Sequence, residues 1–439
     1  TNDGTIGGNI TAYTNGQITN NNVVSGNAVA NAAAVGNTAH ITNTGTIEGN
    51  ATAKGIGDAS INNSGTIKKD LNVSGSAKAI NEATGVVEGD ANVNATSTTG
   101  FFDINLENHG TIEGAANLDG GFTGVLGAGI DNWADGKILG GATVQNGEFI
   151  NNGLISNAGG VGLDGVVVGN LGHFDNYGAA VVDNGATVNN GGNFLNEAGG
   201  TVNGGVLVNT GGSFANGNNV YHTNGKVNGP VTVEGTFNND ESSLITGDVL
   251  VQNGGIFNNT LNATVDGTVT ANGLLVTNNG TVTGNAIVQN DGSYDNFGTV
   301  GGALIGNSPT DESTFHNEAG ATVAGDAITH GTAGGAGYNL FNEGTITGDT
   351  YSYDNSVIHN AGDPGTAYLY GNSSVINMSG GVYDSVDAHD NSSFTNENGG
   401  IVTNGATLHQ NAFLENKSGG SIGGSVTVGD ANSSDESTF

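Results

Sequence analysis

The chain of 439 residues contains no cysteine and no arginine. Without cysteine it can form neither a disulfide nor a thiolate metal site. Its strongly basic residues are seven lysines, against 41 acidic residues, which gives a formal net charge of −34. Because nucleic-acid binding requires clusters of lysine and arginine that neutralise phosphates, this class of function is excluded.

Proline and long hydrophobic runs are also scarce. Only three prolines occur, and the 80 glycines follow no three-residue period, which excludes a collagen-like helix. No run approaches the about 18–20 apolar residues that a membrane-spanning helix needs. Hydrophobic residues make up 35% of the chain, which is below the roughly 45–50% of a typical soluble domain. Several compact globular cores are therefore not expected, and intrinsic disorder is the alternative that such a composition suggests.

An internal repeat excludes disorder. Its unit is an apolar or aromatic residue, any residue and then Asn, followed shortly by Gly-Thr-Ile or Gly-Thr-Val, as at 41–47, 106–112 and 276–282. We call this Asn the anchor and the position two residues before it the aromatic slot. Nineteen anchors follow one another at intervals of 17 to 27 residues, with a mean of about 20.7. They are Asn43, Asn63, Asn81, Asn108, Asn132, Asn151, Asn176, Asn196, Asn216, Asn239, Asn259, Asn278, Asn296, Asn317, Asn342, Asn360, Asn377, Asn396 and Asn416.

The aromatic slot holds eight of the fifteen phenylalanines. In a disordered chain the phenylalanines would not be expected to recur at one position of a repeat. We expect these side chains to point inward and to stack on one another as a narrow, continuous core. The eight residues are Phe149, Phe174, Phe194, Phe214, Phe237, Phe257, Phe315 and Phe394.

The repeat also predicts the fold. Short alternating runs such as 206–208 and 281–283 indicate β-strands, and Gly-Asn or Asn-Gly pairs between them indicate turns. Three such strands make one coil, so the sequence predicts an all-β protein, a parallel β-solenoid (β-helix) of about 21 coils of about 20 residues, without evident end caps. At the ~4.8 Å spacing of parallel strands it would be roughly 100 Å long. We expect the anchor amides to bond from coil to coil and the glycines to supply the positive φ of tight corners.

The pattern Phe-x-Asn-x-Gly-Thr-Ile/Val-x-Gly resembles the passenger repeats of bacterial autotransporters, two-partner-secreted adhesins and related surface filament proteins. The resemblance covers essentially the whole chain. It implies a β-helical fold and a place at the cell surface or outside the cell. It leaves the activity open, because such passengers include adhesins, biofilm fibres and carriers of enzymes.

The two ends of the chain match each other. Phe439 falls on the aromatic slot, and Thr1 and Asn2 would complete the repeat if the ends were joined. We therefore expect residues 1–439 to form a single continuous β-solenoid, one unit of a longer array or of an end-to-end polymer that uses Thr1, Asn2 and Phe439 for strand addition. An arbitrary boundary at a coil edge is the alternative.

Two places are candidates for metal binding. His389 and His409 each precede an anchor by seven residues, so they should stack on adjacent coils, close to Asp384, Asp387 and Asp390. Histidine with carboxylates can hold a divalent metal, and a solvated ladder of polar side chains is the alternative. Residues 159–166, which include Asp164, match the calcium-binding nonapeptide of RTX repeats, but the single copy is also explained as a glycine-rich loop.

No cofactor is required by the sequence. Calcium or other divalent cations, bound diffusely by the acidic faces, would relieve the self-repulsion of the net charge.

An enzyme is not expected. The β-helical lyases commonly use Arg or Lys at the reacting sugar, and glycoside hydrolases need two carboxylates at a fixed separation. This chain has no Arg, and its acids are dispersed among Asn and Gly. Four tyrosines late in the chain could instead form a glycan-binding patch, or could pack between neighbouring coils; they are Tyr351, Tyr353, Tyr368 and Tyr370.

The sequence therefore predicts an extracellular structural protein. It would be a rigid, acidic β-solenoid that builds a filament, sheath or biofilm matrix fibre by end-to-end stacking, with further copies of itself as the main partner. The alternative is an adhesin passenger domain that binds a host or biofilm polysaccharide through side loops or the tyrosine patch. Neither a nucleic-acid partner nor membrane insertion by this segment is expected.

Overall fold

A computed structural model describes residues 1–94, 103–120, 128–157, 165–218, 224–334, 337–429 and 436–439. They form two compact units, Thr1–Pro230 and Val231–Phe439. The regular elements of these described residues are all β-strands, and equivalent strands of successive coils pair in parallel. The predicted parallel β-solenoid is thus confirmed, with about 20 coils in the two units together. That residues 1–439 form a single continuous solenoid stays a prediction.

The coils contain three kinds of strand, as predicted, except that the coil of Asn360 has an isolated bridge from Asp363 to Thr345 in place of the second strand. The first kind, the anchor strand, carries the aromatic slot and ends at or just after the anchor. In the first unit the anchor strands are Gly16–Asn20, Thr38–Asn43, Asp58–Asn63, Lys78–Asn81, Asp103–Asn108, Ala128–Asn132, Gly147–Asn151, His173–Tyr177, Asn193–Glu197 and Ser213–Asn216. In the second unit they are Thr236–Asn239, Ile256–Asn259, Leu275–Asn278, Ser293–Asn296, Thr314–Asn317, Leu340–Asn342, Val357–Asn360, Ser374–Asn377, Ser393–Asn396 and Phe413–Asn416.

The second strand is short and contains the Thr-Ile or Thr-Val of the repeat. In the first unit the second strands are Thr5–Ile6, Val23–Val24, Thr46–Ile47, Thr66–Ile67, Val86–Val87, Thr111–Ile112, Lys137–Ile138, Leu154–Ile155, Val181–Val182, Thr201–Asn203 and Lys226–Asn228. In the second unit they are Leu244–Ile245, Thr264–Val265, Thr322–Val323, Thr345–Ile346, Val382–Tyr383, Ile401–Val402 and Ser421–Ile422. In two coils of the second unit the second and third strands are fused, as Thr281–Gln289 and Thr299–Ile305.

The third strand completes the coil. In the first unit the third strands are Ile10–Tyr13, Ala28–Ala32, Ala51–Gly55, Leu71–Gly75, Ala91–Asn94, Ala116–Asp119, Ala142–Gln145, Val166–Gly169, Ala186–Val188 and Val206–Val208. In the second unit they are Val231–Val233, Val249–Val251, Val269–Asn272, Ala327–Thr329, Thr350–Ser352, Ala367–Leu369, Val386–Ala388, Gly405–Leu408 and Ser425–Val428. Their first and third residues are typically buried and the middle residue faces outward, as in Val206–Val208, which is the period-two alternation of a half-buried strand.

The anchors form a buried amide ladder in each unit. The Nδ2 of each anchor donates a hydrogen bond to the Oδ1 of the anchor one coil later, at 2.6–2.8 Å in the first unit. The distances are 2.7–2.9 Å in the second unit. Every anchor from Asn43 to Asn396 is fully buried. All the donors point the same way along each ladder.

The ladder includes Asn20, which the sequence analysis missed. Asn20 accepts a hydrogen bond from Asn2 and donates one to Asn43. It is followed by Asn21, Asn22, Val23 and Val24 instead of by Gly-Thr-Ile. This coil therefore lacks the tripeptide that marks the repeat, although its anchor strand is otherwise regular.

The aromatic slots form inward columns beside the ladder. The eight slot phenylalanines are at most 1% exposed. In the first unit the ring centroids of Phe149, Phe174, Phe194 and Phe214 follow one another at 5.2, 4.6 and 4.7 Å. In the second unit the Phe237 and Phe257 rings lie 5.8 Å apart. A core one or two side chains wide explains how a chain with so few apolar residues folds.

Corner glycines such as Gly199, with φ of 95°, supply a positive φ as predicted. The glycine after the anchor has a different role, because Gly65 and Gly298 have no such backbone conformation. A Cβ at either position would instead collide with a backbone carbonyl of the preceding coil, that of Gly45 or Gly280. These glycines are required because consecutive coils approach each other so closely there.

A second column of polar side chains precedes the third strands. The Oδ1 atoms of Asn27, Asn50, Asp70 and Asp90 each accept a hydrogen bond from the backbone N–H at the same corner of the next coil, at 2.8–3.2 Å. Asn and Asp are interchangeable here because only an acceptor oxygen is used. We call these residues the corner acceptors.

Candidate functional site

Aromatic side chains cover one outward strip of the second unit. The outward residues at the centres of three successive third strands, Tyr351, Tyr368 and Asp387, are register neighbours. The rings of Tyr351 and Tyr368 lie parallel, with centroids 4.9 Å apart and planes inclined by 10°. We call these two the tyrosine pair.

A longer aromatic column runs beside the tyrosine pair. It consists of the residue that follows the third strand in each of five coils, and we call it the corner ladder. Neighbouring ring centroids are separated by 4.7, 5.0, 5.1 and 4.5 Å, and the planes are inclined by 7–11°. Its members, in chain order, are His330, Tyr353, Tyr370, His389 and His409.

The tight turn after the corner ladder fixes the position of its rings. Asp354 and Asp390, which follow Tyr353 and His389, have φ of 62° and 57°, and Gly371 after Tyr370 has φ of 74°. The left-handed conformation reverses the chain immediately after each ring. Each ring is therefore held by a strand on one side and a turn on the other.

Tyr351 and Tyr370 of this strip keep their phenolic protons at neutral pH. Burial, followed by the charges of Asp326 and Asp349, raises the pKa of Tyr351 above its ordinary value. Burial, followed by Tyr353, raises the pKa of Tyr370. A neutral phenol can both donate and accept a hydrogen bond, and its ring offers an apolar face.

An open groove of about 390 Å³ continues the strip past Tyr368. Its lining is mainly hydroxyl groups and one carboxylate, from Thr366, Tyr368, Ser385, Asp387, Thr407 and Thr427. Such a surface combines a flat aromatic face with several hydrogen-bonding groups, which is the chemistry that a sugar ring requires of its binding site.

Three of the five predicted metal ligands lie together beside this groove. The Oδ1 of Asp387 is 3.1 Å from the Nε2 of His389 and 3.5 Å from the Nε2 of His409. One ligand atom from each of the three residues lies within 4.8 Å of the others. We call them the Asp387 cluster.

The other two predicted ligands lie apart from the Asp387 cluster. Asp384 is exposed at the opposite end of the same third strand. Asp390 lies in the turn, and its Oδ2 accepts a hydrogen bond from the backbone N–H of Gly371 at 3.0 Å. Asp164, with most of the nonapeptide segment, lies outside the described residues.

Two further His–carboxylate clusters went unnoticed in the sequence. Glu148, His173 and Asp175 form one in the first unit, and His316, Glu318 and Glu343 form another in the second. The hydrogen bond to Asp175 raises the pKa of His173, and burial raises that of Glu148. Each cluster contains a histidine followed two residues later by an acid. Residues i and i+2 lie on the same face of a strand, so this spacing in the sequence indicates that the two side chains are neighbours.

The predicted assembly residues lie in the outermost coils. Asn2 continues the amide ladder by donating to Asn20 at 2.6 Å. Thr1 is exposed, and Phe439 is 62% exposed. The residue before it, Thr438, accepts a backbone hydrogen bond from Leu414, which occupies an aromatic slot.

Comparisons with known proteins give only weak likenesses, and these are to solved structures. No protein-family model matches the chain, and no curated protein matches it. Among the described residues, no helix has the length and apolar character required to span a bilayer. A solved structure to which the chain is similar is the crystal structure of a TibC-catalysed hyper-glycosylated TibA fragment, at 15% identity over 96% of this chain and 100% of that one, with a TM-score of 0.21. A likeness at that TM-score carries no functional conclusion.

Proposed function

We propose that this chain is a non-enzymatic, extracellular structural protein whose coils stack with those of further copies to build filaments. The observation that carries the proposal is the buried amide ladder. In each unit an unbroken series of anchors hydrogen-bonds from coil to coil at 2.6–2.9 Å. Stacked amides of this kind give cross-β assemblies their stability.

Each coil is complementary to the next in the same register. Anchor strands pair slot to slot and anchor to anchor, as Phe174 with Phe194 and Asn176 with Asn196. The third strands pair in the same way, as Val206 with Ala186. A coil of another copy can therefore pair with an exposed coil through the same backbone and side-chain contacts that join coils within one chain. This mode of association is strand addition.

Electron microscopy and sedimentation of the purified chain test this proposal. We expect filaments whose mass grows with protein concentration. An Asn416→Lys variant should block growth, because Asn416 is an exposed anchor and a charge there cannot continue the amide ladder. Asn404→Lys, at an exposed position outside the ladder, is the matched control and should assemble normally. Single particles at every concentration would contradict the proposal.

A second candidate function is glycan binding by the aromatic strip. The observation that favours it is the parallel stacking of the tyrosine pair beside the corner ladder, with the hydroxyl-rich groove next to both. Aromatic faces with nearby hydrogen-bonding groups are suited to the alternating apolar and polar faces of a sugar.

A glycan array followed by titration tests the second candidate. We expect a Tyr351→Ala/Tyr368→Ala double variant to bind the selected glycan at least about tenfold more weakly, since two stacking faces are lost. Tyr13→Ala is the control, because Tyr13 is 62% exposed on the other unit. Equal binding by both variants would exclude the strip as the site.

A further inference from the structure

We propose that the Asp387 cluster is a binding site for a divalent transition metal, with Zn²⁺ as the best fit. The ligands would be the Oδ1 of Asp387 and the Nε2 atoms of His389 and His409. This proposal is independent of filament formation and of glycan binding.

Two of the three ligand separations match those of a tetrahedral site. The two Asp387–histidine separations are 3.1 and 3.5 Å. Ligands bonded to zinc at about 2.0–2.2 Å in tetrahedral geometry lie about 3.3–3.5 Å from one another. Because the two imidazole planes are nearly parallel, at least one ring must rotate until its Nε2 points at the ion, and the fourth position would stay open to water or to an external ligand.

The carboxylate oxygen at the centre of the cluster lacks a hydrogen bond. The Oδ1 of Asp387 is buried and has no hydrogen-bond partner of acceptable geometry, although two imidazole nitrogens approach it. A buried, unpaired carboxylate oxygen is costly. A bound cation would give this oxygen a partner.

The fold holds the three side chains in place before any metal binds. The His389 and His409 rings stack at 4.5 Å with planes inclined by 9°, and His389 also stacks on Tyr370. Backbone hydrogen bonds fix the corner positions, from His389 N to Leu369 O at 2.9 Å and from His409 N to Ala388 O at 2.8 Å. Binding therefore requires the imidazole rings to rotate, but the backbone positions of the ligands are already fixed, which limits the ordering cost.

The composition of the cluster selects the class of metal. Two imidazoles and one carboxylate suit zinc and similar transition metals. Calcium prefers six to eight oxygen ligands, and the cluster supplies a single carboxylate. The two other clusters each contain one histidine and two carboxylates, so we expect them to bind transition metals more weakly.

Titration of the full chain with Zn²⁺ and with Co²⁺ tests the proposal. We expect calorimetry to show one equivalent of metal bound more tightly than any other, and Co²⁺ to give the strong visible bands of a tetrahedral site. His409→Gln and Asp387→Asn should each weaken this equivalent at least about tenfold, because one of three ligands is lost. The melting temperature without metal shows whether each variant is folded.

His330→Gln is the matched control. His330 belongs to the same corner ladder and has Asp354 at 3.1 Å, but it stacks on a tyrosine instead of a second histidine. The variant should keep the tight equivalent. The proposal would be overturned if His330→Gln lost the tightly bound metal ion, or if folded His409→Gln kept it. It would also be overturned if the unmodified chain bound no metal ion tightly.

Discussion

Two buried tyrosines differ in what their hydroxyl groups contribute to the stability of the protein. Tyr294 occupies an aromatic slot, and its hydroxyl has no hydrogen-bond partner. Tyr383 is equally buried, but its hydroxyl accepts a hydrogen bond from Thr350 at 3.3 Å. Burial raises the pKa of both phenols, so both are neutral, and only the hydrogen bond distinguishes them.

Replacing Tyr294 by Phe should stabilise the protein. The change removes an unpaired buried hydroxyl and keeps the ring, which stacks on Phe315 at 5.3 Å. We expect the free energy of unfolding to rise by about 1 kcal/mol. Urea denaturation measures it. Tyr383→Phe is the control and should lose about 1 kcal/mol, because Thr350 loses its acceptor; a loss of stability in Tyr294→Phe would contradict this account.

Asp240 should make stability depend on pH. The residue is 7% exposed, and burial raises the pKa of its carboxyl group from 3.8 to about 6. Because the folded pKa is above the unfolded one, the folded state holds the proton more tightly. The stabilisation is present at low pH, declines as pH rises from about 4 to about 6, and is absent above that range.

An Asp240→Asn variant should remove this dependence. We expect the difference in unfolding free energy between pH 4 and pH 7 to change by about 2 kcal/mol relative to the unmodified chain. Urea denaturation at a series of pH values checks the result. Glu48→Gln, at an exposed position, should leave the profile unchanged, and identical profiles for the two variants would refute the assignment.

At the scale of the strand and the coil, the inner and outer ladders are expected to differ in strength. The anchor Asn43 is fully buried, accepts from Asn20 at 2.7 Å and donates to Asn63 at 2.7 Å. Asn92 makes similar side-chain bonds to Asn72 and Asn117, at 3.1 and 3.0 Å, but it is half-buried on the outer face. If one Asn of a ladder is removed, water can hydrogen-bond to its former partners only on the outer ladder.

Replacing Asn43 by Ala should therefore cost more than replacing Asn92 by Ala. The first change leaves the buried acceptor oxygen of Asn63 without the hydrogen bond from Asn43 and removes one hydrogen bond of the Asn20 amide, and we expect a loss of about 2–4 kcal/mol. The second should cost less than about 1 kcal/mol. Denaturation curves of the two variants give the comparison, and equal losses would mean that burial of the amide ladder contributes nothing.

Much of the coil could be predicted from the sequence because the repeat fixes register. The positions of the slot phenylalanines relative to their anchors indicated an inward column. The equal distance of His389 and His409 from their anchors indicated that they stack, and Tyr353 and Tyr370 share that distance. His330 does not, because extra residues separate it from Asn342. Glu148 and His173 each precede their anchors by three residues, so the register also indicates their pairing, which was not predicted.

At the scale of the whole molecule, the excess of acid is partly explained by the corner acceptors. Asp70 and Asp90 serve there as Asn50 does, so a carboxylate is tolerated wherever only an acceptor oxygen is needed. Direct neutralisation is rare. A single lysine–carboxylate bridge, Lys417 with Glu397 at 3.2 Å, is seen in the described part of the chain. Most of the net charge of −34 is therefore left to the solvent and its ions.

Salt should consequently stabilise the protein. Screening shortens the range of repulsion from about 30 Å at 0.01 M to about 10 Å at 0.1 M, so we expect the melting temperature to rise by at least about 2 °C between these concentrations of NaCl. Calcium chloride at equal ionic strength should raise it further if the acidic faces collect divalent ions. Sucrose, which screens no charge, is the control, and a melting temperature that falls with NaCl would contradict the account.

The amide ladder also gives each unit a direction. Because every anchor donates towards the later coil, one end of a ladder presents an acceptor oxygen and the other a donor nitrogen. Two copies that met through like ends would place oxygen against oxygen or nitrogen against nitrogen, so a two-fold symmetric contact cannot extend the ladder. Any assembly that continues it must join unlike ends, and a contact of that kind does not close on itself after two copies. A fibre built in this way would be polar, with two ends that grow and bind differently.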